Sequence, residues 1–287
     1  MIVFLNGRFV PEEDAVVSIH DRCFLYGDGL FETLRIYNGK PFRWAQHMER
    51  LKCGARFLKI DLPFTPEEIR QNAGILIEQN QQSEAILRLT LSRGVGVRGY
   101  STRGANKTFL VMTLHSAPIV APNNNPGWRL ITSSIRVPAE DPIATLKSCN
   151  KLAQIFARME AESQCADEAL LLNTNGQVAE TASSNVFWIV NKTIFTTPLA
   201  DGALAGITRG VILELCPGVG LSCEERSISP NQLREVEGVF VTVTSAEIVE
   251  VISLDGVAVK QSPIVGQLRE AYYRQIKRET LSRRKGL

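Results

Sequence analysis

Lys147 stands in the run Thr145-Leu146-Lys147-Ser148-Cys149-Asn150-Lys151-Leu152, after Asp141-Pro142-Ile143 and before a helix spaced through Ile155, Ala157 and Met159. A lysine at a helix start is ordinarily a solvated charge. A desolvated one loses its proton more readily and can hold an aldehyde as a Schiff base. Other residues decide between the two readings. Glu180 follows in Val178-Ala179-Glu180-Thr181-Ala182-Ser183-Ser184-Asn185-Val186-Phe187, among small or neutral neighbours that suit a packed loop rather than a solvated turn. Gly206-Ile207-Thr208 opens a helix, where unpaired N–H groups and the helix dipole favour an anion. A threonine there also serves as a plain cap. Thr244-Ser245-Ala246 ends a strand with a second set of small donors. Arg50 could grip a phosphate with two parallel bonds, although alone it reads as a surface helix residue. Arg98, beside Tyr100, lies in a loop loosened by Gly94, Gly96 and Gly99 and offers a charge for a carboxylate. The glycine spacing fits neither a P-loop nor a dinucleotide fingerprint.

Taken together, these groups match what pyridoxal-phosphate chemistry demands. It needs a lysine for the aldehyde (Lys147), a carboxylate for the ring nitrogen (Glu180) and an anion cradle for the phosphate (Gly206-Ile207-Thr208, Thr244-Ser245, Arg50). It also needs a device for the substrate carboxylate (Arg98).

The elements that must position them are legible in outline. Ile2–Leu5, Asn6-Gly7 and Phe9-Val10 form a hairpin. Phe31 to Tyr37 alternates as a strand, and Phe42 to Leu58 reads as an amphipathic helix holding His47, Arg50 and Leu51. Thr65-Pro66-Glu67-Glu68 starts a helix that runs to about Glu78. Ala85 to Ser92 and Phe109 to Leu114 are strands, and 116–127, rich in proline and asparagine, is the linker. A helix from about Asn150 to Ser163 follows Lys147. Glu168 to Leu172, Val186 to Val190 and Val239 to Thr244 are strands, Asn175-Gly176 is a turn, and Ile264 to Thr280 is the final helix. Hairpins outnumber strict β-α-β alternation, so the fold class is α+β. The domains are 1–118 and 128–287, joined by the linker at 119–127.

The chain has 287 residues, 44% hydrophobic and 22% charged, in the range of globular enzymes. A net charge of +2 makes no case for nucleic acid, and the basic Arg283-Arg284-Lys285 reads as a frayed end. Six cysteines and three histidines show no metal-ligand spacing and no disulfide framework, so no metal is expected. No apolar run suits a signal peptide or a membrane span, which points to a reducing, cytoplasmic setting.

Seven pieces in order resemble the class IV aminotransferase family, the fold-type IV pyridoxal phosphate enzymes. They are Asp21-Arg22 with Tyr26-Gly27-Asp28-Gly29, Phe31-Glu32-Thr33-Leu34-Arg35, His47-Met48-Glu49-Arg50-Leu51, Lys147-Ser148 with Asn150, Ala166-Asp167-Glu168-Ala169-Leu170, Glu180 with Ser184-Asn185-Val186-Phe187, and Gly206-Ile207-Thr208-Arg209. The resemblance implies a small α/β N-terminal domain, a larger pseudo-barrel domain and a cofactor between them. It implies Lys147 as Schiff-base lysine and proton shuttle, and Glu180 on the ring nitrogen. Arg50, Ile207, Thr208 and Thr244 would hold the phosphate, with Ser184, Asn185, Gly206 and Ser245 also on the cofactor side. Phe31, Arg35, Arg98, Tyr100, Ser245 and Ala246 would line the substrate side. A homodimer is implied, in which the Arg93–Ser101 loop reaches the other subunit's site.

Family members differ in reaction. The D-amino acid enzymes usually carry tyrosine at the place of Phe31, and Thr244-Ser245-Ala246 departs from the Gly-Thr-Ala loop of the branched-chain enzymes. The Arg93–Ser101 loop resembles that of the 4-amino-4-deoxychorismate lyases, which release pyruvate and 4-aminobenzoate. The expectation is a transaminase acting between an amino acid and a 2-oxo acid, with the lyase as the alternative.

Overall fold

The computed structural model describes residues 1–118, 120 and 127–281. Most of the expected linker (119 and 121–126) and the basic Arg283-Arg284-Lys285 lie outside the described residues. The chain divides into two compact units. One holds Met1–Ala117, Lys147–Lys151 and the chain from Ile276; the other holds Pro118–Leu146 and Leu152–Gln275.

The first unit contains β1 (Ile2–Leu5), β2 (Arg8–Pro11), α1 (Arg22–Tyr26), β3 (Gly29–Tyr37), β4 (Lys40–Pro41), α2 (Trp44–Leu58), α3 (Pro66–Gln79), β5 (Ala85–Ser92) and β6 (Phe109–Ser116). Its six strands form an antiparallel sheet ordered β2-β1-β6-β5-β3-β4. Asn6 and Gly7 both take positive φ, as a tight two-residue hairpin requires. Alternation sorts the sheet into two faces. Leu30, Leu34 and Ile36 of β3 and Leu87, Leu89 and Leu91 of β5 are buried on one. The opposite face carries Phe31, Thr33, Arg88 and Thr90, with Phe31 paired to Thr90 and Thr33 to Arg88. α3 begins in a full capping box, Thr65 Oγ1 accepting from the Glu68 N–H while Glu68 accepts from the Thr65 N–H. It buries Ile69, Ala73, Leu76 and Ile77 at helical spacing.

The second unit adds β7 (Trp128–Val137), α4 (Leu152–Ser163), β8 (Glu168–Asn173), β9 (Val178–Thr181), β10 (Asn185–Val190), β11 (Thr193–Thr196), α5 (Ile207–Leu215), β12 (Ser222–Glu225), α6 (Pro230–Glu235), β13 (Gly238–Val243), β14 (Glu247–Leu254) and β15 (Val257–Ala258). α7 (Pro263–Thr280) ends the described chain. The nine strands form a mixed sheet ordered β12-β11-β10-β13-β14-β7-β8-β9, with β15 on β14, and the sheet curls into a half-barrel. Val186 and Trp188 of β10 join Val239, Val241 and Val249 in one core. Asn185 and Phe187 leave the other face, opposite Thr242 and Phe240 of β13, and the two phenylalanine rings stack at 4.9 Å. Ala157 and Ala161 of α4 pack on Ile131, Ala169 and Leu171.

A cut at the linker would leave Lys147–Lys151 with the second half of the chain. The fold places them in the first unit, because Lys147–Cys149 runs beside β3. The Phe31 N–H donates to the Lys147 carbonyl (3.0 Å), the Cys149 N–H donates to Gly29 (2.9 Å), and Ser148 bridges Leu30. The helix expected from Asn150 therefore starts later, at Leu152. Among the described residues no helix is long and apolar enough to cross a membrane.

Candidate active site

Lys147 is held by its backbone, in the strand-like pairing with β3. Its Nζ lies 4.6 Å from the centre of the Phe31 ring, and the Arg88 guanidinium lies 4.1 Å from the same ring. Two cations thus share one aromatic platform, on the sheet face away from the apolar core. Arg88 escaped the sequence reading. The available signal was the alternation of β5, which sets it opposite Thr33 and on the same face as Phe31.

On the other face of β3, Glu32 is 1% exposed and gathers three donors from α2. His47 Nδ1 lies 2.7 Å from Oε2, and Arg50 donates through Nε (2.8 Å) and Nη2 (2.6 Å). Burial alone would raise the Glu32 carboxyl; the bonds from Arg50 and His47 outweigh it and hold the group at about 2. Burial pushes His47 below its ordinary value, opposed by Glu32 and helped by the charges of Arg50 and Lys147. Arg50, expected on a phosphate, is thus fixed in place by Glu32 in a fork-to-fork pair.

Arg35 departs from expectation. It is 6% exposed, its Nη1 donates to the Ala85 carbonyl (3.3 Å), its Nη2 pairs with Glu84 (3.4 Å), and it stacks on Tyr37 at 4.9 Å. Its charge serves the far end of β3 rather than the Phe31 platform.

The loop around Arg98 is also not loose. Arg22, only 3% exposed, donates to the carbonyls of Gly99 (2.9 Å), Ser101 (3.1 Å) and Tyr100 (3.3 Å), and the Gly99 N–H donates to the Tyr26 hydroxyl (3.1 Å). Gly94, at φ +87°, comes so close to the Lys107 carbonyl that a Cβ would sit 1.8 Å from its oxygen. That glycine provides close packing, not slack. Asp28 ties the base of the loop to both Arg22 and Arg93 (2.8 and 2.7 Å). Burial raises its carboxyl, but the two arginines prevail and keep it low. Arg98 and Tyr100 stay exposed, Tyr100 at 89% and edge-on to Tyr26.

In the second unit Glu180, Asn185 and Gly206, all expected on the cofactor side, come together. Glu180 Oε2 accepts from the Leu204 N–H (2.9 Å) and from Asn185 Nδ2 (3.4 Å), and Asn185 also donates to the Leu204 carbonyl (2.8 Å). Gly206 is the N-cap of α5, and no side chain caps this helix. A Cβ on Gly206 would sit 1.9 Å from Asn185 Oδ1, so only glycine allows the approach. Ile207 and Thr208 follow as the first two helical residues, with Thr208 buried. Ser184 locks the β9–β10 turn through Thr181, whose Oγ1 lies 2.6 Å from its hydroxyl and accepts its N–H at 2.8 Å. Ser183 donates to the buried Glu168 beneath it, whose carboxyl burial pushes up. Thr244, Ser245 and Ala246 form the half-buried turn between β13 and β14. A carboxylate held by two donors and a helix start left open for an anion therefore sit together around Asn185.

Residues 29–254 match the family model for class IV aminotransferases. The chain is 36% identical to a candidate branched-chain-amino-acid aminotransferase of Methanocaldococcus jannaschii, covering 89% of this chain and 88% of that one. It is 33% identical to a D-alanine aminotransferase of Bacillus licheniformis, covering 98% and 99%. A candidate 4-amino-4-deoxychorismate lyase of Legionella pneumophila superposes with a TM-score of 0.85 at 30% identity, covering 92% of this chain and 96% of that one. The family model and these three likenesses lead to one conclusion: the chain belongs to the class IV aminotransferase family, enzymes that use pyridoxal phosphate.

Proposed function

We propose that this chain is a transaminase that moves an amino group between a small amino acid and a 2-oxo acid, with Lys147 holding pyridoxal 5'-phosphate. The observation that carries this reading is Lys147 itself: a lysine pinned through its backbone to β3, with its amine over Phe31 and a second cation, Arg88, on the same ring. The residues present fit the cofactor. The uncapped start of α5 suits a phosphate, Gly206 opens the backbone to it, and the Glu180 carboxylate is already oriented by Leu204 and Asn185.

When bound, pyridoxal phosphate supplies an aldehyde that takes up amines and a ring that accepts the electron pair left by a departing α-proton. This chain's residues do the rest. Lys147 would hold the cofactor through its amine, and that amine, when free, would take the proton from the substrate's α-carbon and hand it on to complete the transfer. Glu180 keeps a proton on the ring nitrogen. The N–H groups at Ile207 and Thr208, the hydroxyls of Thr208, Thr244 and Ser245, and Arg50 hold the phosphate, with Arg50 itself aimed by Glu32. Arg88, with Phe31, holds the substrate carboxylate near Lys147. Two copies associate, and Arg98 and Tyr100 of each reach the other's site; the fixed, exposed loop supports that role.

A screen of L- and D-amino acids against 2-oxoglutarate and pyruvate tests the reaction. Amino transfer is expected. The Legionella likeness supports a second reading, the lyase. No amino transfer, together with pyruvate and 4-aminobenzoate formed from 4-amino-4-deoxychorismate, would replace the first reading with the second.

A further inference from the structure

One buried polar atom near the α5 start has no use in the protein alone. Thr242 on β13 is 2% exposed, and its Oγ1 has no hydrogen-bond partner among the described residues. A buried hydroxyl left unpaired is costly, and native structures rarely keep one without a reason.

Its position supplies the reason. Thr242 is the register partner of Asn185 across the antiparallel β10–β13 pair. Directly opposed residues leave the sheet on the same face, their Cβ atoms about 4.5–5.5 Å apart. Asn185 is the residue whose Oδ1 crowds Gly206 at the open start of α5, and whose Nδ2 reaches Glu180. Two residues along, Thr244 opens the turn that follows β13. Thr242 therefore stands on the face that bears the uncapped helix start, with a donor that bulk water does not reach.

We propose that the Thr242 hydroxyl is a further donor to the phosphate monoester of the cofactor, completing the anion corner made by Gly206, Ile207, Thr208 and Thr244. The inference rests on the functional reading above and adds one residue to it. In the free protein the hydroxyl is a liability; with phosphate bound it is a ligand. Its removal should thus act in opposite directions on the two forms.

The test is Thr242→Val, which keeps the shape and removes the hydroxyl, with Thr242→Ser as the conservative control and Thr242→Ala as a second deletion. Binding of pyridoxal phosphate and of pyridoxal, which lacks the phosphate, is read from cofactor absorbance, and melting is followed with and without pyridoxal phosphate. Thr242→Val is expected to bind pyridoxal phosphate about 3–10-fold more weakly, to bind pyridoxal as the wild type does, and to melt no lower than wild type when free of cofactor. Thr242→Ser should retain wild-type affinity, and Thr242→Ala should show the same selective loss as valine if the valine variant does not fold. Unchanged affinity for pyridoxal phosphate, or equal loss for both compounds, overturns the assignment. A wild-type protein that binds neither compound overturns the functional reading, and this inference with it.

Discussion

Replacing Glu32 by glutamine removes one negative charge from a site that is 1% exposed and leaves Arg50 and His47 facing a neutral amide. The folded carboxyl sits at about 2 against an ordinary 4.5. At about 1.36 kcal/mol per tenfold change in proton affinity, that gap is worth roughly 3 kcal/mol of stability at neutral pH. Removing one partner of a buried pair costs about the same, roughly 3–5 kcal/mol, because the other charge stays behind. The sign of the pH dependence follows from the lowered value. The contribution is full above the ordinary carboxylate range and is lost as pH falls towards 2; by pH 3 it should be roughly half or less. Urea denaturation of wild type and Glu32→Gln at pH 7, 5, 4 and 3 measures this. Unfolding of the first unit is reported by Trp44 on α2, with Trp128 and Trp188 replaced by phenylalanine in both proteins so that the units are not confused. The expected result is a gap of about 3 kcal/mol at pH 7 that narrows steadily below pH 5. A gap under about 0.5 kcal/mol at pH 7, or one that stays constant down to pH 3, would refute the reasoning that Glu32 is a charged, paired group.

Two further perturbations have defined outcomes. Gly206→Ala places a Cβ 1.9 Å from Asn185 Oδ1, so Asn185 must give up its place beside Glu180 and Leu204. A loss of about 1–3 kcal/mol in thermal unfolding and weaker binding of pyridoxal phosphate are expected, and a variant with wild-type cofactor affinity would contradict the crowding. Arg22→Ala removes the donors that hold the carbonyls of Gly99, Tyr100 and Ser101. Charged donors of this kind are worth about 1.5–3 kcal/mol each, so tryptic cleavage after Arg98 and Arg103 should accelerate about tenfold or more, and an unchanged rate would mean that the loop is fixed by other contacts.

Much of this site is legible in the sequence because its signals are local. The helix starts at Gly206 and Thr65 and the alternation of Ala85 to Ser92 each depend on residues a few positions apart, and each forms as read. The family follows from several such pieces in order, and the fold class with it. What stayed hidden depends on tertiary pairing. Nothing near Glu32 announces that α2 will bring His47 and Arg50 to it across 15 and 18 residues. Arg35 lies on the same sheet face as Phe31 by alternation, and Tyr37, two residues along the same strand, is beside it; strand pairing with β5 then delivers Glu84 to its guanidinium. Gly94 reads as a loose link when only composition is considered; its closeness to the Lys107 carbonyl exists only once the loop has folded back. The same holds for Lys147, where helix spacing after Asn150 suggests a helix mouth. The backbone instead pairs with β3, since β3 has a free edge position at Gly29–Phe31 for Lys147–Cys149 to occupy.

The central claim is that Lys147, and no other lysine, holds the cofactor. Borohydride reduction of the protein loaded with pyridoxal phosphate, followed by proteolysis and mass spectrometry, reads this directly. The account expects a phosphopyridoxyl group on Lys147 alone, and none in Lys147→Ala. A label on the neighbouring Lys151, or an equal label in the Lys147→Ala protein, would contradict it.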